Sequence, residues 1–168
     1  MLSTLMLPYP VTMVPLFIIF AKLGLINSFT PLILPTFFGN AFYIFLLRQS
    51  FKQIPPDLDD AARIDGAGTL QVLWSIILPM ARPALATVAI FTFQAAWNDF
   101  LGPMIFLHDQ SLYTLQLGLS LLRGAYNVQW AYLMASSLVV TLPVIALFFF
   151  AQRSFIEGVG YAGTKIKP

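Results

Sequence analysis

The residues in this chain that can do chemistry are few. It holds seven acids, nine Lys or Arg, one histidine and no cysteine, so thiolate nucleophiles, disulfides and thiolate metal sites are excluded. His108 has no second His, Cys or carboxylate pair at ligand spacing and reads as a surface residue. There is no Ser-His-Asp order, no GxxxxGK[ST] loop and no zinc signature. The chain is therefore expected to bind no metal or cofactor and no ATP through a P-loop of its own. What remains is the run from Asp57 to Pro83, DLDDAARIDGAGTLQVLWSIILPMARP, the one long polar interruption in an apolar sequence. Its carboxylates and small residues suit docking to another macromolecule rather than bond making.

Two short helices must position that run. Pro55-Pro56 stops anything upstream, Asp57 is an N-cap candidate, and Asp60 stands three residues later where an acid completes a capping box. Leu58, Ala61, Ala62 and Asp65 then share one side at spacings of three and four, and Gly66 with Gly68 supplies the C-terminal turn. Thr69 is placed to cap a second helix whose Leu70, Leu73, Trp74 and Ile77 form an apolar stripe before Pro79 closes it. Arg63 and Asp65 fit a local charge pair and a contact to a partner equally well. On the residues alone, a helical hairpin lying on a membrane surface is as good a reading as a docking element.

The rest of the chain is built for lipid. Hydrophobic residues make up 58%, charged residues 10%, and mean hydropathy is +0.80, against about 25% charged residues in an ordinary soluble domain. An all-α, polytopic membrane helical bundle is expected. Four spans are legible: Met1 to Ala21, Pro31 to Leu47, Pro83 to about Leu107, and Trp130 to about Gln152, each near the 20 apolar residues that cross a hydrocarbon core of roughly 30 Å. Twelve prolines and ten glycines predict kinked or broken spans. The first residues lack a basic n-region and do not read as a cleaved signal peptide. Arg48, Lys52, Arg63, Arg82, Arg153, Lys165 and Lys167 lie on the side of the 48–82 loop, only Lys22 and Arg123 on the other. The positive-inside rule then puts the loop and both ends of this chain in the cytoplasm.

Inside the apolar segments a few polar groups stand out. Asp99 is the one acid in a span, with Asn98 beside it and Gln94 one turn earlier, and the three can line a polar path. A capped or solvated helix end is an equal reading for Asp99. Asn40 in the second span is more simply packing glue between helices. Phe148-Phe149-Phe150 read as lipid-facing or packing residues.

Asp60-Ala61-Ala62, three residues, Gly66, nine residues, then Ile76-Ile77-Leu78-Pro79 resembles the cytoplasmic EAA loop of the membrane-spanning subunits of binding-protein-dependent ABC importers, with aspartate where glutamate is usual. The wider string FLLRQSFKQIPPDLDDAARIDGAG, then LP, ARPALATVAIFTF and WNDFL, is similar to the sugar-type permeases of that superfamily, through essentially all 168 residues. The resemblance implies the MetI-like permease fold. It also implies a bacterial or archaeal plasma membrane location, a dimer of ABC ATPase subunits that binds the ATP, a second and different permease subunit, an extracytoplasmic solute-binding protein, and no nucleic acid.

In that family the loop sits in a cleft of the ATPase and carries its closure into the membrane, which would assign the contact to Asp60, Ala61, Ala62, Arg63, Asp65, Gly66, Leu73, Trp74 and Pro79. Asn40, Gln94, Trp97, Asn98 and Asp99 become candidates for the translocation path, and Phe91, Phe93 and Trp97 for stacking on a sugar ring. The family core has six helices, so residues 1–168 are expected to form one permease domain beginning near the family's third helix. A membrane subunit that only docks an ATPase and no longer transports is the rival expectation.

Overall fold

Proline, glycine and one asparagine cut the apolar runs into shorter helices than hydropathy suggests. The computed structural model describes residue 6, residues 8–123 and residues 130–163, with side chains through residue 151. All regular structure among the described residues is helical. Helix α1 (Tyr9–Lys22) is followed by α2 (Thr30–Ile33), which passes into a 3-10 turn at Leu34–Phe38 and, after Gly39, into α3 (Ala41–Phe51). Next come α4 (Pro56–Ile64), α5 (Thr69–Val72), a π turn at Leu73–Ile77, α6 (Leu78–Met80) and α7 (Arg82–Trp97). Helix α8 (Leu101–Phe106), a 3-10 turn at Gln110–Leu112, α9 (Leu115–Leu121) and α10 (Trp130–Gly163) complete the order.

The expected breaks in the spans are present, and the expected bounds of the spans are corrected. Among the described residues, by length and apolarity, two stretches are long enough to cross a bilayer, Thr30–Phe51 and Trp130–Ala151, and a third is counted there if Thr69–Met80 and Arg82–Trp97, bent by 73°, are taken as one. Helix α1 has 14 residues, about 21 Å of rise, and residues 1–5 and 7 of the expected first span lie outside the described residues. The second is interrupted where Gly39 takes φ +79°, a conformation that side chains with a Cβ seldom adopt, so Asn40 sits in a break rather than inside a helix. The third ends at Trp97, not Leu107. Asn98, Asp99 and Phe100 leave the helix, and α8 is a separate short helix.

The chain divides into two compact units, residues 1–41 with 93–148, and residues 42–92 with 149–168. In the first, Phe20, Phe106, Leu107, Leu117, Leu133 and Val140 are buried, and the ring of Phe106 meets Phe20 edge-on at 6.0 Å and Phe17 at 6.1 Å. Helix α1 closes on a Schellman turn: Gly24 (φ +68°) donates to Ala21 O and Leu25 to Phe20 O, which satisfies two carbonyls the helix end would otherwise orphan. The loop that follows is tied to the end of α8 through Asn27, itself left-handed at φ +60°. Its N–H donates to Phe106 O, while its Oδ1 accepts from the N–H groups of His108 and Asp109. Thr114 caps α9 by accepting from the N–H of Leu117.

In the second unit the buried groups are small, Ala62, Val72 and Ala81 with Ala151. Large apolar side chains are exposed in both units, Leu138 and Phe150 among them. That pattern is costly in water and natural against lipid, where burial brings no hydrophobic gain and helices associate by packing.

Candidate functional site

The polar run folds, within the second unit, into the expected helix, glycine turn and helix, but not by the expected caps. Helix α4 starts two residues earlier than an Asp57 cap would place it, at Pro56, with Pro55 as its N-cap and no side-chain cap. The proline needs none at that point, because its missing N–H is one that the helix start would leave orphaned anyway. Asp57 and Asp59 thus lie in the first turn, favourable to the helix dipole, and Asp60 is free of the capping-box role. Its carboxylate is exposed and makes no hydrogen bond among the described residues.

Arg63 is paired inside the helix, not with Asp65 but with Asp59 one turn back, Nε to Oδ1 at 3.1 Å. The hydrogen bond and charge of Asp59, with Asp60 near, raise the arginine's pKa further above its usual value. The spacing explains the choice: residues four apart face each other on a helix and residues two apart do not. Ala61 is exposed and Ala62 buried, so of the two alanines only the first is presented outward.

Gly66 ends α4 as the sequence predicts. At φ +84° it donates to Arg63 O at 3.0 Å, and Ala67 donates to Ala62 O at 2.9 Å, the two bonds of a Schellman turn. Asp65 occupies the C-cap, its N–H bonded to Ala61 O. The second helix then starts at Thr69 with Gly68, extended, as N-cap and no side-chain cap, so Thr69 is the first helical residue rather than the cap.

The predicted apolar stripe is also corrected. Leu70 and Trp74 are 71% and 69% exposed, Leu73 and Ile77 are intermediate, and Val72 is the buried residue. A stripe at 0, 3, 4 and 7 assumes an unbroken α-helix, but a π turn begins at Leu73, where the Leu78 N–H reaches back five residues to Leu73 O. The wider turn rotates the later positions off the face. Pro79 supplies the reason: it has no N–H for the carbonyl of Ser75, and its ring crowds that carbonyl. Pro79 itself lies within α6, and the break falls two residues on at Ala81, buried to 1% exposure. There the axis turns by 73° into α7, whose second residue, Pro83, again needs no N–H partner.

The polar candidates of the first unit fall into two groups. Asp99 and Trp97 serve the fold. Asp99 Oδ1 accepts from the Gly102 N–H at 3.2 Å, holding the start of α8, and its other oxygen lies 2.5 Å from where a Cβ on Gly102 would stand. The indole Nε1 of Trp97 donates to Val140 O on α10 at 3.0 Å, one turn before Pro143. Phe93 stacks on Trp97 with centroids 5.5 Å apart at 16°.

Gln94 and Asn98 form the other group. Asn98 Nδ2 donates to Gln94 O at 2.9 Å, and its Oδ1 accepts from Gln116 Nε2 on α9 at 3.2 Å. Gln116 was not visible in the sequence because it sits in a leucine-rich stretch where only its amide, and no motif, marks it. Asn40 is exposed and precedes α3. His108 is exposed, and no group of three His, Cys, Asp or Glu suited to a metal occurs among the described residues.

A hairpin of this build on a membrane chain, with its sequence intervals, defines a class. Residues 1–159 match the family described as binding-protein-dependent transport system inner membrane component, and the chain belongs to that family. It is 38% identical over 164 residues to the arabinooligosaccharides transport system permease protein AraQ of Halalkalibacterium halodurans, covering 98% of this chain and 58% of that protein. It is 35% identical to the lactose transport system permease protein LacG of Rhizobium radiobacter, covering 94% and 58%. It is also 35% identical to the sn-glycerol-3-phosphate transport system permease protein UgpE of Yersinia enterocolitica, covering 93% and 56%. The chain thus spans a little under three fifths of the length of these relatives.

Proposed function

We propose that this chain belongs to the transmembrane subunit of an ATP-driven importer, moving a sugar or related solute handed over by an extracytoplasmic binding protein. The relatives named for arabinooligosaccharides, lactose and sn-glycerol-3-phosphate transport support the solute class. ATP is bound and hydrolysed by a pair of partner subunits, and a second permease subunit completes the path. Positive-inside asymmetry supports a cytoplasmic hairpin in a plasma membrane: among the described residues Arg48, Lys52, Arg63, Arg82 and Arg153 belong to the second unit and only Lys22 and Arg123 to the first.

The observation that carries the reading is the surface of the hairpin. Ile64, Leu70 and Trp74 are 86%, 71% and 69% exposed, next to the carboxylates of Asp60 and Asp65, which have no hydrogen bond among the described residues. Burying such side chains in a partner's cleft yields about 1.5–3 kcal/mol each, and the two acids are left to meet cations there. With Arg63 spent on Asp59, the hairpin presents net negative charge. The Schellman turn at Gly66 and the direct run from Thr69 to Met80 make the hairpin a stiff lever, so that closure of the ATPase pair displaces it as a body and rocks the helices between outward and inward access.

The test is co-purification. The full-length gene product, solubilised in mild detergent, is expected to bring down an ATPase subunit, and replacement of Asp60-Ala61-Ala62 by bulky residues is expected to abolish this while membrane insertion persists. Absence of an ATPase with the intact hairpin would overturn the reading.

A further inference from the structure

The proline inside α10 is met from outside the helix. Pro143 has no N–H for the carbonyl of Val139, and its ring crowds that carbonyl, so the turn from Val139 to Pro143 is open to donors other than its own. In a bilayer such a turn is repaired by neighbouring helices, Ser or Thr side chains or local adjustment of the backbone. Trp97, the last residue of α7, sends a donor there: its Nε1 donates to Val140 O at 3.0 Å, across 43 residues of chain. We propose that this bond is a latch. The Trp97 indole splints α10 across its proline, and with the latch open α10 becomes a hinge.

The stretch before the proline is soft by its own sequence. Ser137 Oγ donates to Leu133 O and Thr141 Oγ1 to Ser137 O, each at 2.7 Å, and hydroxyls bonded one turn back in this way weaken and bend a helix. Both hydroxyls are thereby spent on other carbonyls than those of Val139 and Val140. Two back-bonds and a proline thus fall between Ser137 and Pro143, yet α10 runs unbroken from Trp130 to Gly163.

The latch is itself held firmly. Val140 is 7% exposed, and a hydrogen bond shielded from water is stronger than one at a wet surface. Phe93, one turn before Trp97, stacks on the indole at 5.5 Å and 16°, which fixes the direction of its single N–H. Phe93, Trp97 and the stretch from Leu133 to Pro143 all belong to the first unit. Trp97 is therefore a positioning residue, acting on a backbone carbonyl rather than on a solute.

Amide hydrogen exchange, followed by mass spectrometry on the full-length subunit with its partners in lipid nanodiscs, reads the opening of α10. Trp97→Phe keeps a ring against Phe93 and loses the N–H; replacement of Trp97 by benzothienylalanine keeps the whole bicycle and loses the N–H as well. Both are expected to speed exchange at residues 144–147 about fivefold, the worth of one hydrogen bond, while the amides of α1 keep their rates. Pro143→Ala returns an N–H to Val139 O, and in that background neither replacement should change the exchange. Unchanged exchange at 144–147 with benzothienylalanine overturns the latch. So does a rise shared by α1, or one that persists in full beside Pro143→Ala, since either would make the bond ordinary packing between helices.

Resting on the import reading, α10 bends at this hinge between outward and inward access. Pro143→Ala makes that bend break one hydrogen bond more, so maximal uptake is expected to fall about fivefold. Full uptake by this variant would remove the hinge from the transport cycle. Absence of any ATP-driven uptake by the unsubstituted complex is a different failure, that of the import reading itself, and leaves the exchange result standing.

Discussion

Asn27 Oδ1 accepts the backbone N–H of Asp109 at 2.9 Å, joining residues 82 positions apart in the chain. The same oxygen takes the His108 N–H at 3.0 Å, and the Asn27 N–H returns to Phe106 O at 2.8 Å, so one residue holds two loops of the first unit together. It does so from φ +60°, a region asparagine visits at less cost than most residues. Two substitutions separate the contributions. Asn27→Gly keeps the backbone conformation and loses two side-chain bonds, and is expected to cost about 1–2 kcal/mol. Asn27→Ala adds the left-handed strain of roughly 1–2 kcal/mol. Thermal unfolding in detergent, followed by loss of the monodisperse peak, should rank wild type above Gly above Ala; equal melting of Gly and Ala variants would refute the strain.

Gly66 and Gly102 are both glycines for opposite reasons, and each predicts a different failure. A Cβ at Gly66 meets nothing within 4 Å, but φ is +84°. Gly66→Val is therefore expected to unpick the turn by about 1–3 kcal/mol of backbone strain and to lose the co-purifying ATPase while the protein still inserts. Gly66→Asn, tolerant of that φ, should recover most of the binding. Uptake by the valine variant at the wild-type rate would rule the turn out as a coupling element.

At Gly102 the backbone is ordinary and the space is not. An added Cβ would stand 2.5 Å from Asp99 Oδ2 and 3.0 Å from Leu32 Cδ2. Gly102→Ala is expected to destabilise by about 1–3 kcal/mol through overpacking, and Asp99→Ser in the same chain should restore part of it, since the shorter side chain still offers an oxygen to the helix start. A double variant no more stable than Gly102→Ala alone would show that Leu32, not Asp99, sets the limit.

How much of this was legible in the sequence follows from the range of each interaction. Local signals carried through: the glycine turn at Gly66 and the all-helical character rest on neighbours a few residues apart, and the structure shows both. Predictions that assumed an uninterrupted helix did not. The stripe from Leu70 to Ile77 was broken by a π turn whose cause, Pro79, lies downstream of it, and the third span stopped at Trp97 because Asp99 turns to bond Gly102. The caps at Asp57 and Thr69 gave way to Pro55 and Gly68, whose backbones already hold the non-helical conformation a cap needs. Asn27 and Gln116 act across 82 and 18 residues, and no spacing within a helix or loop reports such a partner.

The π turn yields the last prediction. The i→i−5 bond from Leu78 to Leu73 exists because Pro79 denies Ser75 O its N–H, and the helix axis bends by 73° shortly after, at Ala81. Pro79→Ala returns that N–H and removes the ring, so the turn is expected to relax to ordinary α-helix and rotate Trp74 relative to α7. Paired spin labels at Thr69 and Thr87, both within the second unit, should report a changed distance on substitution. In the assembled importer the same variant is expected to keep ATP hydrolysis and lose most uptake, because a lever whose far end is turned no longer drives the helices it joins. An unchanged label distance with normal uptake would show that the wide turn is set by packing around Ala81 rather than by the proline.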